Sequence, residues 1–435
     1  MTAFTFYGIV EDRPGERWRA LFDAVWPGYR AWYLRDGDGA RPDLATAERM
    51  LRLHMPELVP TWERLVSLTG GDETAARMLT LWNPPRFLPG CSQVAVSAPE
   101  PVLLRNYDYG LELFEQVHSS TRYGSRRVIG TSDCLWGLLD GMNEDGLAIS
   151  LAFGGRPGDG DGFAAPLVVR YLLEVAGDVA EALRRLETIP VSMFYNLSMV
   201  DVGGETATAY VGPGMRPEVT RDPVATNHRG RHPEYPEHAR RFRSVERQEL
   251  LTDAVERDGA DGAAAAMLGP EAFSHDYDNA FGTLYTAVYR PRRGEVEYLW
   301  HSRSWTRTLT STEETIIVTL DDDAPEPRPT PAQSTAGAHA PGAAGAEAPG
   351  SAPDGAGSPP AGGTSVAELQ AAARQAVREL SLSPDPAAFS ALLTLSGEVG
   401  EALGASARLL AEHNSWARVA EIADVSRQAA WHRWR

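Results

Sequence analysis

The chain has 435 residues, with 59 acidic and 41 basic side chains and a formal net charge of −18. A hydrophobic fraction of 43% is typical of globular proteins and excludes wholesale disorder. The acidic balance argues against a protein that coats nucleic acid or an anionic membrane with its whole surface, because both need a positive field. The sequence shows no signal-peptide pattern and no long apolar run, so we expect a cytoplasmic protein without membrane contact.

The first predicted elements are helices. Apolar positions recur at three- and four-residue spacing through residues 15–80, and the breaker Trp82-Asn83-Pro84-Pro85 ends this region. Short strand-like runs follow, separated by turn signals, and helical patterns lie in pairs between them. Clustered strands and paired helices predict antiparallel sheets covered by helices, not a regular alternation of strand and helix.

The composition changes near the end of the chain. Residues 323–363 are rich in Pro, Ala and Gly and almost lack large apolar side chains, so they are predicted to form a disordered linker. Residues 364–435 have helical patterns throughout. We therefore expect a small all-α module beyond the linker.

The last twenty residues of this module resemble a bacterial helix-turn-helix segment. Ser415 and Ser426 are suitable N-caps for two short helices that flank a tight turn. The resemblance implies that Arg427, Gln428 and Arg433 contact DNA. The alternative is a helical bundle that binds another protein.

Cys91 stands at the start of a predicted strand, directly after Pro89-Gly90, and the next strand carries Arg105 and Asp108. A thiol near an arginine and a carboxylate is suited to nucleophilic attack. The chemistry alone leaves open that Cys91 is a small buried apolar residue. Cys134, the other cysteine, is predicted to lie in the core, since two cysteines at this spacing form neither a disulfide framework nor a metal site.

Histidine offers no clear alternative chemistry. None stands at a spacing typical of a Cys–His pair, and His228, His232 and His238 lie in a loop without the carboxylates of a metal site. We therefore expect no metal and no cofactor.

The segments GCSQVAV and LLRNYDYG resemble the acyl-coenzyme A:6-aminopenicillanate acyltransferase family. These proteins are autoproteolytic N-terminal-nucleophile (Ntn) hydrolases related to choloylglycine hydrolases. Weaker similarities occur at Asn143–Ile149, Ala225–His228 and Gly282–Tyr289. The resemblance implies an α+β fold, the αββα sandwich of two antiparallel sheets between helical layers. It divides the chain into a helical pro-segment at 1–90 and a catalytic domain at 91–322, before the linker and the helical module.

The resemblance also implies a mechanism. Cys91 attacks the carbonyl of Gly90, and the chain cleaves itself between these two residues. The freed α-amine, with a pKa of about 8, then serves as the base for its own thiol. Asp108 would hold this amine, Arg105 would steady the thiolate or a substrate carboxylate, and Asn227 would donate to an oxyanion.

Two parts of this mechanism stay open. A backbone N–H near Ala152-Phe153 is expected as a second oxyanion donor, and Arg243, Arg247 and Arg303 are candidates for a further catalytic arginine. Alternatively, Arg105 and Asp108 form an ordinary cross-strand ion pair, and Asn227 is a turn residue.

The sequence thus predicts an autoproteolytic cysteine amidohydrolase or acyltransferase that acts on a linear, non-peptide amide. Its partner would be a small-molecule amide or acyl donor, and the fragments of one chain would stay associated, with a homodimer as a further expectation. The alternative is a transcriptional regulator with a non-catalytic, ligand-sensing Ntn-like domain and a DNA-binding tail.

Overall fold

The computed structural model describes residues 3–86, 90–277 and 281–320, together with scattered positions between 372 and 418. The chain divides into two compact units, Met1–Ser334 and Thr335–Arg435. Most described positions of the second unit are helical. The predicted linker at 323–363 and the predicted DNA contacts Arg427, Gln428 and Arg433 lie outside the described residues.

Two β-sheets form the centre of the first unit. Its described strands are β1 (Ala3–Glu11), β2 (Gly90–Val96), β3 (Val102–Tyr109), β4 (Val117–Thr121), β5 (Val128–Asp133), β6 (Gly137–Asn143), β7 (Ala148–Phe153), β8 (Tyr195–Val200), β9 (Thr206–Val211), β10 (Glu218–Thr220), β11 (Val224–Ala225), β12 (His275–Asp276), β13 (Phe281–Arg290), β14 (Glu295–Trp300), β15 (Arg303–Thr308) and β16 (Glu314–Thr319). Among these strands the larger sheet has the order β10-β9-β8-β7-β6-β5-β4-β1-β16. The smaller sheet has the order β11-β2-β3-β13-β14-β15, with β12 paired to β13. All these pairs are antiparallel except β1 with β4.

Helices lie on the outer faces of both sheets. The described α-helices are α1 (Glu16–Tyr33), α2 (Leu44–His54), α3 (Val59–Leu68), α4 (Glu73–Leu79), α5 (Ala165–Val175), α6 (Val179–Leu186), α7 (Pro236–Arg241) and α8 (Ser244–Met267). Helices α5 and α6 pack on the larger sheet, α8 packs on β2 and β3 of the smaller sheet, and β2 and β3 pack on β7 and β8. The layers are therefore helix, sheet, sheet and helix, which confirms the predicted αββα sandwich. No described helix has the length and apolar character needed to cross a bilayer.

The alternation of side chains along β2 and β3 divides the core into two parts. Ala95 and Leu103 belong to the main apolar cluster that includes residues of the larger sheet. Val94 and Leu104 point to the other face and pack in a second cluster with Leu251 of α8. Because successive side chains of a strand face opposite sides, both faces of the smaller sheet are buried.

The N-terminal segment differs from the prediction at its start. Residues 3–11 form β1, and Phe4 and Phe6 on one face of this strand are buried while Thr5 and Tyr7 are more exposed. A two-residue period of burial is typical of a strand, so the description of residues 1–90 as a helical pro-segment missed this strand. The helices α1–α4 follow within the region predicted to be helical. The functional division at residue 90 stays a prediction.

Helix α1 is fastened to the larger sheet by Tyr29. Its hydroxyl donates to Glu115 Oε1 at 2.6 Å, lies 3.3 Å from Asp133 Oδ1, and accepts from the N–H of Cys134 at 2.9 Å. Cys134 is buried as predicted. Burial, and then the neighbouring Glu115, raise the pKa of Asp133 to about 7.

Candidate active site

Cys91 is the second residue of β2, and its side chain is fully buried between the two sheets. In the β2–β3 pair, Cys91 is opposite Tyr107 and Gln93 is opposite Arg105, so these four side chains share one face. Gln93 Nε2 donates to Ser150 Oγ on β7 of the larger sheet at 2.6 Å. On this face Arg105 Nη2 donates to Cys91 Sγ at 3.2 Å. The structure thus brings the predicted nucleophile and Arg105 together.

The remaining donors of Arg105 are held on the same side. Nε donates to the carbonyl of Leu151 at 3.0 Å, and Nη1 donates to Asp140 Oδ2 at 2.6 Å and to the Tyr285 hydroxyl at 2.8 Å. The ion-pair partner of Arg105 is therefore Asp140. The alternative of a cross-strand pair between Arg105 and Asp108 was wrong, because side chains three residues apart on a strand point to opposite faces.

Asp108 lies opposite Gly90 in the β2–β3 pair, on the face toward α8. Its Oδ1 accepts from Thr283 Oγ1 at 2.7 Å, and its Oδ2 lies 3.7 Å from Arg247 Nη1. Burial raises the pKa of the Asp108 carboxyl, although Arg247 and the Thr283 hydrogen bond oppose that rise. This carboxyl therefore keeps its proton to a higher pH than an exposed aspartate.

Arg247 of α8 is the one of the three candidate arginines that contacts Cys91 in the described residues. Its Nη1 donates to the carbonyl of Cys91 and to Ser92 Oγ, both at 2.7 Å. Arg243 is the residue before α8 and adopts a left-handed conformation with φ of 48°. Arg303 donates instead to the carbonyl of Ile317 on β16, at 2.7 Å.

Asn227 follows β11 and holds the backbone of the predicted nucleophile. Its Oδ1 accepts from the N–H of Cys91 at 3.0 Å and from Arg247 Nη2 at 2.8 Å. Its Nδ2 donates to the carbonyl of Phe153 at 2.9 Å. In the uncleaved chain Asn227 is therefore an acceptor toward Cys91, because two donors converge on its oxygen. The Ala152-Phe153 segment presents the carbonyl of Phe153 to Asn227, and the expected N–H donor to the oxyanion in this segment stays a prediction.

The surroundings of the thiol act on its pKa in both directions. Burial raises the pKa of Cys91, the positive charges of Arg105 and Arg247 lower it, and the negative charge of Asp108 raises it. Gly90 is closely packed as well: a Cβ built on it lies 2.5 Å from Phe281 Cζ and 3.1 Å from Asp108 Cβ. An external substrate has no access to this thiol, whereas the Gly90 carbonyl is its neighbour in the chain.

Sequence reasoning missed three polar residues of this site. Ser92 shares β2 with Cys91, Thr283 binds Asp108, and Asp140 binds Arg105. Asp140 could have been found, because a carboxylate inside the apolar run GLLDGMN needs a buried partner. The described residues contain no group of His, Cys, Asp and Glu arranged to hold a metal ion. The two ring nitrogens of His228 form hydrogen bonds with Ser244 Oγ and Gln248 Oε1, both at 2.9 Å.

Three solved structures show similarity to this chain. They are penicillin V acylase from Agrobacterium tumefaciens (17% identity, 50% of this chain and 84% of that one, TM-score 0.35), a mutant form of conjugated bile acid hydrolase from Clostridium perfringens (11%, 52% and 96%, 0.36) and a Caenorhabditis elegans orthologue of N-acylethanolamine-hydrolyzing acid amidase (14%, 47% and 93%, 0.34).

No curated protein sequence matched the chain. A comparison with protein families did find a match. Residues 96–305 match the sequence model of acyl-coenzyme A:6-aminopenicillanic acid acyl-transferase. The match includes Arg105, Asp108, Asn227 and Arg247, and it begins after Cys91. The resemblance inferred from the motifs before residue 323 is therefore confirmed, since residues 96–305 are similar to the acyl-coenzyme A:6-aminopenicillanic acid acyl-transferase family.

Proposed function

We propose that this chain is an amidohydrolase or acyltransferase whose nucleophile is the Cys91 thiol, exposed by cleavage of the Gly90–Cys91 bond. One observation carries the proposal: three buried polar side chains hold three different atoms of Cys91. Arg105 binds Sγ, Asn227 binds the backbone nitrogen and Arg247 binds the carbonyl oxygen. A cysteine that only fills space in a core needs no such set of polar contacts.

The cleavage step uses these contacts directly. Cys91 Sγ attacks the Gly90 carbonyl carbon, and a thioester forms as the C–N bond breaks. The thiol proton released in this step balances the proton that the leaving nitrogen gains. Water then hydrolyses the thioester to the Gly90 carboxylic acid and the free thiol. The departing nitrogen of Cys91 must gain a proton to become an amine. Asp108 is a suitable donor, because it lies opposite Gly90 and burial favours its protonated form.

After cleavage the same residues serve an external amide. The new α-amine, with a pKa of about 8, accepts the thiol proton. The substrate acyl group forms a thioester on Cys91 as its C–N bond breaks, and the leaving amine takes up that proton. Arg105 faces the sulfur while its other contacts are to Leu151, Asp140 and Tyr285, which favours a role with the thiolate over binding of a substrate carboxylate. Transfer of the acyl group to water gives hydrolysis, and transfer to an amine gives acyl exchange.

The aromatic surroundings of Gly90 favour an acyl group with an apolar body. The ring of Phe242 lies 5.0 Å from that of Phe281 and 6.1 Å from that of Phe153, measured between centroids. Phe281 packs directly on Gly90. Movement of the residues next to the cut bond would open the space beside these rings to the substrate.

Intact-mass analysis of the purified chain tests the proposal. We expect fragments 1–90 and 91–435 in the wild type, one full-length chain in Cys91→Ala, and normal cleavage in the matched control Cys134→Ala. Cleavage at residue 90 in Cys91→Ala would assign the cut to a host protease. A wild-type chain that stays whole and binds an amide without turnover would favour the ligand-sensing regulator.

A further inference from the structure

We propose that Asp140 is the positioning residue that holds Arg105 against the nucleophilic sulfur. The inference rests on the proposed function only in that it takes Cys91 as the nucleophile. Asp140 lies on β6 of the larger sheet and Arg105 on β3 of the smaller sheet, so their ion pair joins the two sheets. Both side chains are 0% exposed, and the shortest N–O distance between them is 2.6 Å.

Four donors fix the carboxylate of Asp140. Its Oδ2 accepts from Arg105 Nη1 and from the Tyr285 hydroxyl, each at 2.6 Å. Its Oδ1 accepts from the Tyr289 hydroxyl at 2.6 Å and from Thr131 Oγ1 at 3.0 Å. A buried carboxylate is tolerated when it is paired and hydrogen-bonded in this way. Three neutral donors thus orient Asp140, and Asp140 in turn orients one cation.

The orientation of Arg105 follows from its planar guanidinium group. Asp140 and Tyr285 hold Nη1, the carbonyl of Leu151 holds Nε, and the ring of Tyr107 lies 4.6 Å from the guanidinium carbon. A rigid planar fork held at two nitrogens has its third nitrogen fixed in direction. Here that nitrogen, Nη2, is the one that reaches Cys91 Sγ.

Asp140 affects the pKa of the Cys91 thiol in two opposite ways, through its own charge and through the position that it gives Arg105. Its negative charge alone disfavours a nearby thiolate, so removing that charge with Arg105 in place would lower the pKa of the Cys91 thiol. In Asp140→Asn, however, the side chain lacks the charge that pairs with Arg105, and it has one acceptor oxygen in place of the two that four donors now share. Arg105 would then leave its place, the thiolate would lose its nearest cation, and the thiol pKa would rise.

The test is a direct titration of Cys91 in the full chain. Cys134→Ser leaves Cys91 as the only cysteine, and its ¹³C-labelled Cβ resonance reports the protonation state whether or not the chain is cleaved or active. We expect Asp140→Asn to raise the pKa of the Cys91 thiol by at least about one, which is a tenfold lower acid dissociation constant. An unchanged or lowered thiol pKa in a folded variant would overturn the proposal.

Two further comparisons keep this result interpretable. Mass spectrometry identifies the state of the Gly90–Cys91 bond, and only samples in the same state are compared. If Asp140→Asn does not fold, Tyr285→Phe and Tyr289→Phe replace it. Tyr285 contacts Arg105 and Tyr289 does not, so Tyr285→Phe should raise the thiol pKa more, and equal values would refute the inference. Failure of the proposed function shows itself separately, as an uncut wild type.

Discussion

Replacing Gly90 with alanine should slow cleavage of the Gly90–Cys91 bond. The added Cβ would lie 2.5 Å from Phe281 Cζ, 2.7 Å from Phe281 Cε1 and 3.1 Å from Asp108 Cβ. Overpacking of this kind typically costs about 1–3 kcal/mol. If the strain moves the Gly90 carbonyl away from the thiol, a tenfold rate loss for each ~1.4 kcal/mol gives a decrease of about 5- to 150-fold.

The chain is synthesised in a cell-free system, and the cleavage rate is measured from the conversion of full-length chain to fragments over time. Gly28→Ala is the matched control, because a Cβ at this helical position has no atom within 4 Å and should leave the rate unchanged. Adding Phe281→Leu to Gly90→Ala should restore much of the rate by removing the ring that the new methyl meets. Wild-type cleavage in Gly90→Ala, or no recovery in the double variant, would refute the packing argument.

Two other predictions concern the rest of the chain. The folded state raises the pKa of Asp133 to about 7, above the ~3.9 of an unfolded chain, so this carboxyl stabilises the fold at low pH and its contribution is lost as pH rises through 7. Asp133→Asn should therefore flatten the fall in unfolding free energy between about pH 4 and pH 7 in urea titrations, and an unchanged slope would mean that other groups cause the fall. Deletion of residues 323–435 should leave cleavage and amide turnover unchanged, because the described residues that bind Cys91 all lie before α8 ends; a loss of turnover would contradict this.

The sequence was informative where a local pattern places residues together. Two alternating runs joined by a short turn predict the pairing of β2 with β3, and this pairing brings Cys91 and Arg105 to one face. The choice among three arginines was not available from the sequence. It depends on which face of α8 packs on β2, and that is decided by the tertiary arrangement of Leu251 and its apolar neighbours.

The other omissions involve contacts between distant segments. Asp140 and Arg105 belong to different sheets, so no spacing in the sequence relates them. Strand β1 has a strand-like alternation of its own, but its partners β4 and β16 lie far along the chain. The role of Asn227 as an oxyanion donor stays a prediction, and the contact of its Oδ1 with the backbone N–H of Cys91 adds an acceptor role that no local pattern indicates.

The place of β1 has a consequence for any protein cut at residue 90. Because β1 lies between β4 and β16, loss of the N-terminal piece would leave two neighbouring strands with unpaired N–H and C=O groups. Such strand edges are templates for pairing with other chains. Residues 91–435 produced alone should therefore aggregate, and supplying residues 1–90 as a separate polypeptide should rescue their solubility. A cut protein would then be an obligate two-component assembly, whose apparent stability depends on the concentration of both pieces.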